Sequence, residues 1–224
     1  MKADGNTHKN NGGLLNASMR VIEDNIVPEV FQEFYELLVS DESVKKHCTE
    51  TTSKLLELSK SGTIESIRKL EEIIAKGRLA GKESDFAKSA LNFCRFRVEN
   101  ELLDIEMDMI SGGLGGNENR LRYYVALTCT TGTIAEHIKT MERVFKKILK
   151  KNDSILEGLT DHGFYLSVLI LGSLNYAIGL ILEEIFKECT YLSDEYYLTN
   201  VEIPTDDRIR DWLDGKLDDE KQST

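Results

Sequence analysis

Leu103-Asp104-Ile105-Glu106-Met107-Asp108-Met109 and, beyond a glycine-rich connection, Arg120-Leu121-Arg122-Tyr123-Tyr124-Val125-Ala126-Leu127-Thr128-Cys129 are the two stretches on which the fold class turns. In the first, Leu103, Ile105, Met107 and Met109 alternate with Asp104, Glu106 and Asp108. In the second, Leu121, Tyr123, Val125, Leu127 and Cys129 alternate with Arg120, Arg122, Tyr124, Ala126 and Thr128. A repeat of two sends successive side chains to opposite faces of a pleated strand, so both runs are expected as strands, paired as an antiparallel hairpin with one wet face. The outward charges are acidic on the first run and basic on the second, which offers cross-strand pairs. Exposed pairs add only about 0–1 kcal/mol each, so they help register more than stability.

Upstream the rhythm is three to four. Val30, Phe31, Phe34, Leu37 and Leu38 follow Pro28, which suits either the first position of a helix or a kink in a longer one. Ser40 or Asp41 is the expected cap of a second helix carrying Val44, Cys48, Leu55, Leu56 and Leu58 and ended by Gly62. Thr63 caps a third with Ile64, Ile67, Leu70, Ile73 and Ile74; a fourth begins near Ser84 and carries Phe86, Ala90, Leu91 and Phe93 or Cys94. Such stripes are core faces.

Downstream, Thr133 with Glu136 three residues on has capping-box spacing. The helix it starts carries Ile134, Ile138, Met141, Phe145 and Ile148 on one face. A third strand near Phe164–Leu171 and a buried helix near Leu174–Lys187 complete a β-β-α-β-α order. The expected class is therefore α+β: a helical N-terminal half packed on a small antiparallel sheet, with a short acidic C-terminal helix. The chain divides into a disordered lead-in (1–14), a helical region (15–97), an α+β region (98–192) and an acidic C-terminal segment (193–224).

The chain has 224 residues, 41% hydrophobic and 30% charged with 2 Pro, which excludes collagen-like, disulfide-scaffold and wholly disordered classes. Its net charge of −11 argues against a general nucleic-acid binder, whose phosphate contacts need a basic footprint. Cys48, Cys94, Cys129 and Cys189 are far apart, contain no C-x-x-C pair and are expected as free thiols of a cytoplasmic protein. Gly163–Leu182 is a run of 20 residues without a charge, long enough to span a bilayer. A buried strand followed by a buried helix is preferred, because Ser167, Ser173, Asn175 and three glycines interrupt it.

Three features are candidates for function. Gly112, Gly113, Gly115 and Gly116, with Arg120 and Arg122 nearby, form a candidate anion-binding loop, although it leads into a strand rather than a helix and lacks the Lys-Ser/Thr of a phosphate loop. Lys139, Arg143, Lys146, Lys147, Lys150 and Lys151 make one helix face basic, most simply a solvated face. In the C-terminal segment, residues 194–224 hold 10 Asp/Glu against 4 Lys/Arg. There Thr205 caps a short acidic helix whose Ile209, Trp212 and Leu213 share one face, an expected partner-docking surface.

His8, His47, His137 and His162 share no ligand spacing, so neither a metal, a cofactor nor a catalytic residue is expected. On these grounds the expected function is non-enzymatic: a protein–protein adaptor or chaperone, escorting substrates in a bacterial-type secretion pathway or forming part of a larger complex, with protein partners and no nucleic acid. The alternative is a small-ligand or nucleotide-binding regulatory domain built on the glycine-rich loop.

Overall fold

The computed structural model describes residues 19–40, 48–104 and 108–216. The lead-in expected over 1–14, His8, His47 and the alternating positions Ile105, Glu106 and Met107 lie outside the described residues. The protein is α+β, as its two rhythms imply.

Among the described residues the N-terminal half comprises β1 (Met19–Val21) and the helices α1 (Pro28–Val39), α2 (Glu50–Ser61), α3 (Ile64–Ala75) and α4 (Lys82–Leu103). Pro28 opens α1, where its missing N–H costs nothing. Thr49 caps α2, its hydroxyl accepting from Thr52 N at 3.1 Å, while Ser40 ends α1; Asp41 and Val44 of the expected second helix lie outside the described residues. Gly62 ends α2 in the left-handed region at φ 57°, and Thr63 then caps α3. The apolar stripes converge on one core around Phe34, Leu55, Leu70, Phe86, Ala90 and Cys94, with Phe34 and Phe86 edge to face at 5.2 Å.

The expected hairpin between 103–109 and 121–129 does not form. Leu103 is the last residue of α4, Asp104 caps that helix with φ 51°, and Leu102 and Leu103 are exposed. Strand β2 (Asp108–Ile110) pairs instead with β1, in parallel. The second run is a strand, β4 (Arg120–Cys129), but both of its edges are taken. One edge pairs with β6 (Leu166–Ser173) over Arg120–Leu127; the other pairs with β3 (Gly116–Asn117) and then β7 (Leu192–Thr199). No edge is left for a partner from 103–109.

After β4 the chain runs α5 (Ile134–Lys151), β5 (Ile155–Asp161), β6, α6 (Ile178–Glu188), β7 and α7 (Asp206–Leu213). The expected β-β-α-β-α order is thus replaced by a β-α-β-β-α-β unit, β4-α5-β5-β6-α6-β7, with antiparallel strands in the order β7-β4-β6-β5. That is the split βαβ, ferredoxin-like arrangement. The acidic segment expected from residue 193 contributes β7 before it reaches its helix.

Helices α5 and α6 cover one face of the sheet. Val125 and Leu127 of β4 and Leu166, Val168 and Ile170 of β6 meet Met141, Phe145, Ile148, Leu182 and Ile185, all fully or nearly fully buried. The opposite face carries Tyr124, Ala126 and Tyr165, and against it pack Leu114 and Ile209. Strand β6 is therefore central and covered on both faces, which explains the uncharged run: Gly163–Leu182 is the β5–β6 turn, β6 and the start of α6. No helix among the described residues is long and apolar enough to cross a membrane.

Candidate functional site

The site is built on the sheet face that α5 and α6 leave open. Helix α7 starts at Thr205, whose hydroxyl accepts from Arg208 N at 3.3 Å, with Asp206 and Asp207 in the first turn where helix N–H groups favour anions. Ile209 is wholly buried against Leu114, Tyr124, Ala126 and Tyr165. Trp212 meets Tyr197 edge to face at 6.0 Å, and the Arg210 guanidinium lies 4.5 Å from the centre of the Phe164 ring. Ile209 and Trp212, expected as a partner-docking face, are thus engaged within the chain; Leu213 beside them remains exposed.

Between this helix and β5–β6 is a cavity of about 370 Å³. Gly158, Thr160, Ser167, Leu169 and Tyr124 form its floor, and Ile203, Pro204 and Thr205, on the approach to α7, form a wall. Gly158 is part of the reason for the space: a Cβ there would meet nothing closer than Leu169 at 3.9 Å. The remaining wall comes from the β5–β6 turn, closed by His162 N donating to Tyr165 O at 3.0 Å. Gly163 sits in that turn at φ 84°, a conformation that L side chains rarely adopt, and its N–H donates to Asp161 Oδ1 at 2.7 Å. The turn stacks the His162 ring on the Tyr165 ring at 4.2 Å, 7° from parallel.

Polar groups converge here. The Tyr124 hydroxyl donates to the Tyr165 hydroxyl at 3.2 Å, and Tyr165 donates to Asp206 Oδ1 at 2.8 Å. His162 Nε2 is 2.9 Å from Ser167 Oγ, and His162 Nδ1 is 3.7 Å from Asp206 Oδ1. One imidazole thus stands between a hydroxyl and a carboxylate. Burial, first, and then the bonds to Tyr124 and Asp206 push the Tyr165 phenol well above the ordinary tyrosine range, because a phenolate there would be desolvated beside a carboxylate.

A pH dependence follows. As pH rises past about 10 the unfolded chain gives up its tyrosine proton while the folded chain keeps it, so the folded state binds more protons and stability falls. Burial raises Tyr191 and Tyr123 in the same direction. Tyr165→Phe is therefore expected to flatten, not abolish, the alkaline loss in urea titrations at pH 8–11. At neutral pH it costs about 1–2 kcal/mol, since Tyr124 and Asp206 lose a partner. An unchanged alkaline slope contradicts the assignment.

The glycine-rich loop has another use. Gly112–Gly116 is buried rather than a projecting tip. Three of its amides are spent on carbonyls: Leu114 N on Asn200 O at 2.9 Å, Gly115 N on Gly112 O at 2.8 Å and Gly116 N on Glu23 O at 3.2 Å. The guanidinium of Arg122 forks onto Glu157 at 2.5 and 2.9 Å and also holds Leu114 O, while Arg120 binds Asp153 at 2.7 Å. Anion binding at Gly115, Gly116, Arg120 or Arg122 would have to break these bonds, and Gly112 and Gly113 are buried beside them. The loop is a packed junction: at Gly113, Gly115 and Gly116 a Cβ would fall on neighbouring backbone.

On the basic helix face, Lys147 and Lys151 reach across to Glu188 and Glu184 on α6, and Lys146 pairs with Glu142 on its own helix. Glu136 Oε2 accepts from Thr133 N at 3.0 Å, completing the capping box. Among the described residues no group of His, Cys, Asp and Glu could hold a metal ion. Metal-ligand spacing does not single out His162. The signal that could have raised it is a histidine in a glycine turn, five residues before a serine on the following strand.

No family model matches the chain, and no curated protein does. Among solved structures, one described as "a putative transposase" from Deinococcus radiodurans R1 is similar over 45% of this chain and 94% of its own length, at 13% identity and a TM-score of 0.34. The expectations of a secretion adaptor and of no nucleic-acid partner find no support in this neighbour, described as a transposase, and are withdrawn. At this identity and score the likeness assigns no activity to the present chain.

Proposed function

We propose that this protein binds a small organic molecule in the cavity between the open sheet face and the Ile203–Asp206 approach to α7. One observation carries the reading: hydroxyl, imidazole and carboxylate groups from Tyr165, Ser167, His162 and Asp206 converge on a cavity otherwise floored by Leu169, Gly158 and the Tyr124 ring. A concave, partly apolar space with a few convergent polar groups is the usual form of a ligand site, and about 370 Å³ falls at the small end of such sites. The Asp206 carboxylate disfavours anionic ligands. The chemistry fits a neutral molecule with an aromatic or aliphatic body and one carbonyl or hydroxyl group. Cytoplasmic residence belongs to the same reading and is supported by the free thiols of Cys48, Cys94, Cys129 and Cys189.

Gly158→Leu tests it. The new side chain fills the floor of the cavity, and Gly158 does not adopt a positive φ, so folding should persist. In saturation-transfer NMR, benzamide and acetanilide at millimolar concentration are expected to give signals with the wild type that Gly158→Leu reduces at least about fivefold. Equal signals from both proteins, or none from the wild type, overturn the assignment.

A further inference from the structure

We infer that Ser167 is a nucleophile for acyl transfer from small neutral esters, with His162 as its general base and Asp206 as the residue that orients His162. This rests on the cavity reading above and names the substrate class of that same site. The warrant is the order of groups: Ser167 Oγ to His162 Nε2 at 2.9 Å, then His162 Nδ1 to Asp206 Oδ1 at 3.7 Å. A hydroxyl within hydrogen-bond reach of a base, itself held by a third group, is the geometric signature of an activated nucleophile. At 3.7 Å the second contact is electrostatic rather than a formed hydrogen bond, and it favours the imidazolium that forms when His162 takes the serine proton. The carboxylate favours the tautomer that carries its proton on Nδ1, which leaves Nε2 free to accept the serine proton.

Three further features support the assignment. Ser167 is nearly buried yet lines the cavity, so a bound ester would meet it away from bulk water. His162 is immobilised on both sides, by its stack on Tyr165 and by the tight turn at Gly163. Thr160 stands directly opposite Ser167 across the β5–β6 ladder, so its hydroxyl shares the same face and is placed to donate to a developing oxyanion.

The chemistry balances without a further reagent. Ser167 Oγ attacks the ester carbonyl carbon while its proton passes to His162 Nε2. The tetrahedral adduct collapses, the C–O bond to the alcohol breaks, and the leaving alkoxide takes the proton from His162. Water then attacks the acyl-serine, giving its proton to His162 Nε2. Collapse releases the carboxylic acid, and the proton returns to Ser167 Oγ.

The test treats the full chain with an alkyl fluorophosphonate and maps the adduct by peptide mass spectrometry. A single phosphonyl group on Ser167 is expected, absent from Ser167→Ala and slowed at least about a hundredfold in His162→Gln. Asp206→Asn should slow p-nitrophenyl acetate acylation at least about tenfold, and Asp206→Glu should recover at least about threefold of that loss, a rescue that a purely structural role would not produce. Circular dichroism melts establish that each variant is folded. Adducts on other residues alone, or none, with benzamide still bound in a Gly158-dependent way, overturn the nucleophile and leave the ligand site standing. Loss of both signals overturns both.

Discussion

Gly113→Ala is expected to destabilise the protein by about 4 kcal/mol or more. The added Cβ would fall on the carbonyl oxygen of Val201, a backbone atom rather than a side chain that could swing away. The neighbouring hydrogen bond, Leu114 N to Asn200 O at 2.9 Å, pins the two segments at the separation the glycine permits. Relief therefore requires either breaking that bond or moving β7 relative to β4, and β7 pairs with β4 from Tyr124 to Cys129. Gly112→Ala is the internal control. Its Cβ would stand 3.0 Å from Asn200 O, a contact that a small shift relieves, so about 1 kcal/mol is expected. Urea denaturation of both variants measures the difference. A Gly113→Ala protein within about 0.5 kcal/mol of wild type would show that the junction is slack.

The second large effect is Ile209→Asp. Ile209 is wholly buried and is the only side chain of α7 that is. Truncating a buried isoleucine to alanine typically costs about 2–5 kcal/mol, and an aspartate adds an unpaired charge in an apolar setting. Because α7 is short and joined through Ile203-Pro204, the cheaper response is for the helix to leave the sheet while the ferredoxin-like unit stays folded. Trp212 is the only tryptophan of the chain, which makes its emission a clean reporter. Ile209→Asp is expected to shift that emission to the red, expose the 200–205 segment to proteolysis, and abolish benzamide binding because the Ile203–Asp206 wall of the cavity leaves with the helix. An unshifted spectrum would mean that Trp212–Tyr197 and Arg210–Phe164 hold α7 without Ile209.

These two variants probe the contacts that were hardest to anticipate. The helices were legible because their information is local: Phe34 and Leu38, or Ile67 and Leu70, mark a face without reference to any other element. Strand β4 was legible for the same reason, and the capping box at Thr133 and Glu136 marked the start of α5. Its partners were not. Strand β5 hid because its alternation breaks at the bulge between Leu156 and Gly158, and β7 because Asp194 and Glu195 made it look like part of an acidic tail. The run at 103–109 misled because a helix end followed by a short strand can mimic alternation over a few residues. The candidate site was invisible in sequence. Tyr165 and Asp206 are 41 residues apart, and nothing in the local pattern of either indicates the other.

Composition, helical stripes, caps and the identity of single strands are written in the chain, because each depends on neighbours a few positions away. Strand order, the use of the glycines as a crossing point rather than an anion cradle, the return of α7 onto its own sheet and the meeting of His162, Ser167 and Asp206 belong to the assembled fold. Both edges of β4 and the open face of its sheet can each be filled once, and which segment fills them is a competition among distant parts of the chain that no local window contains.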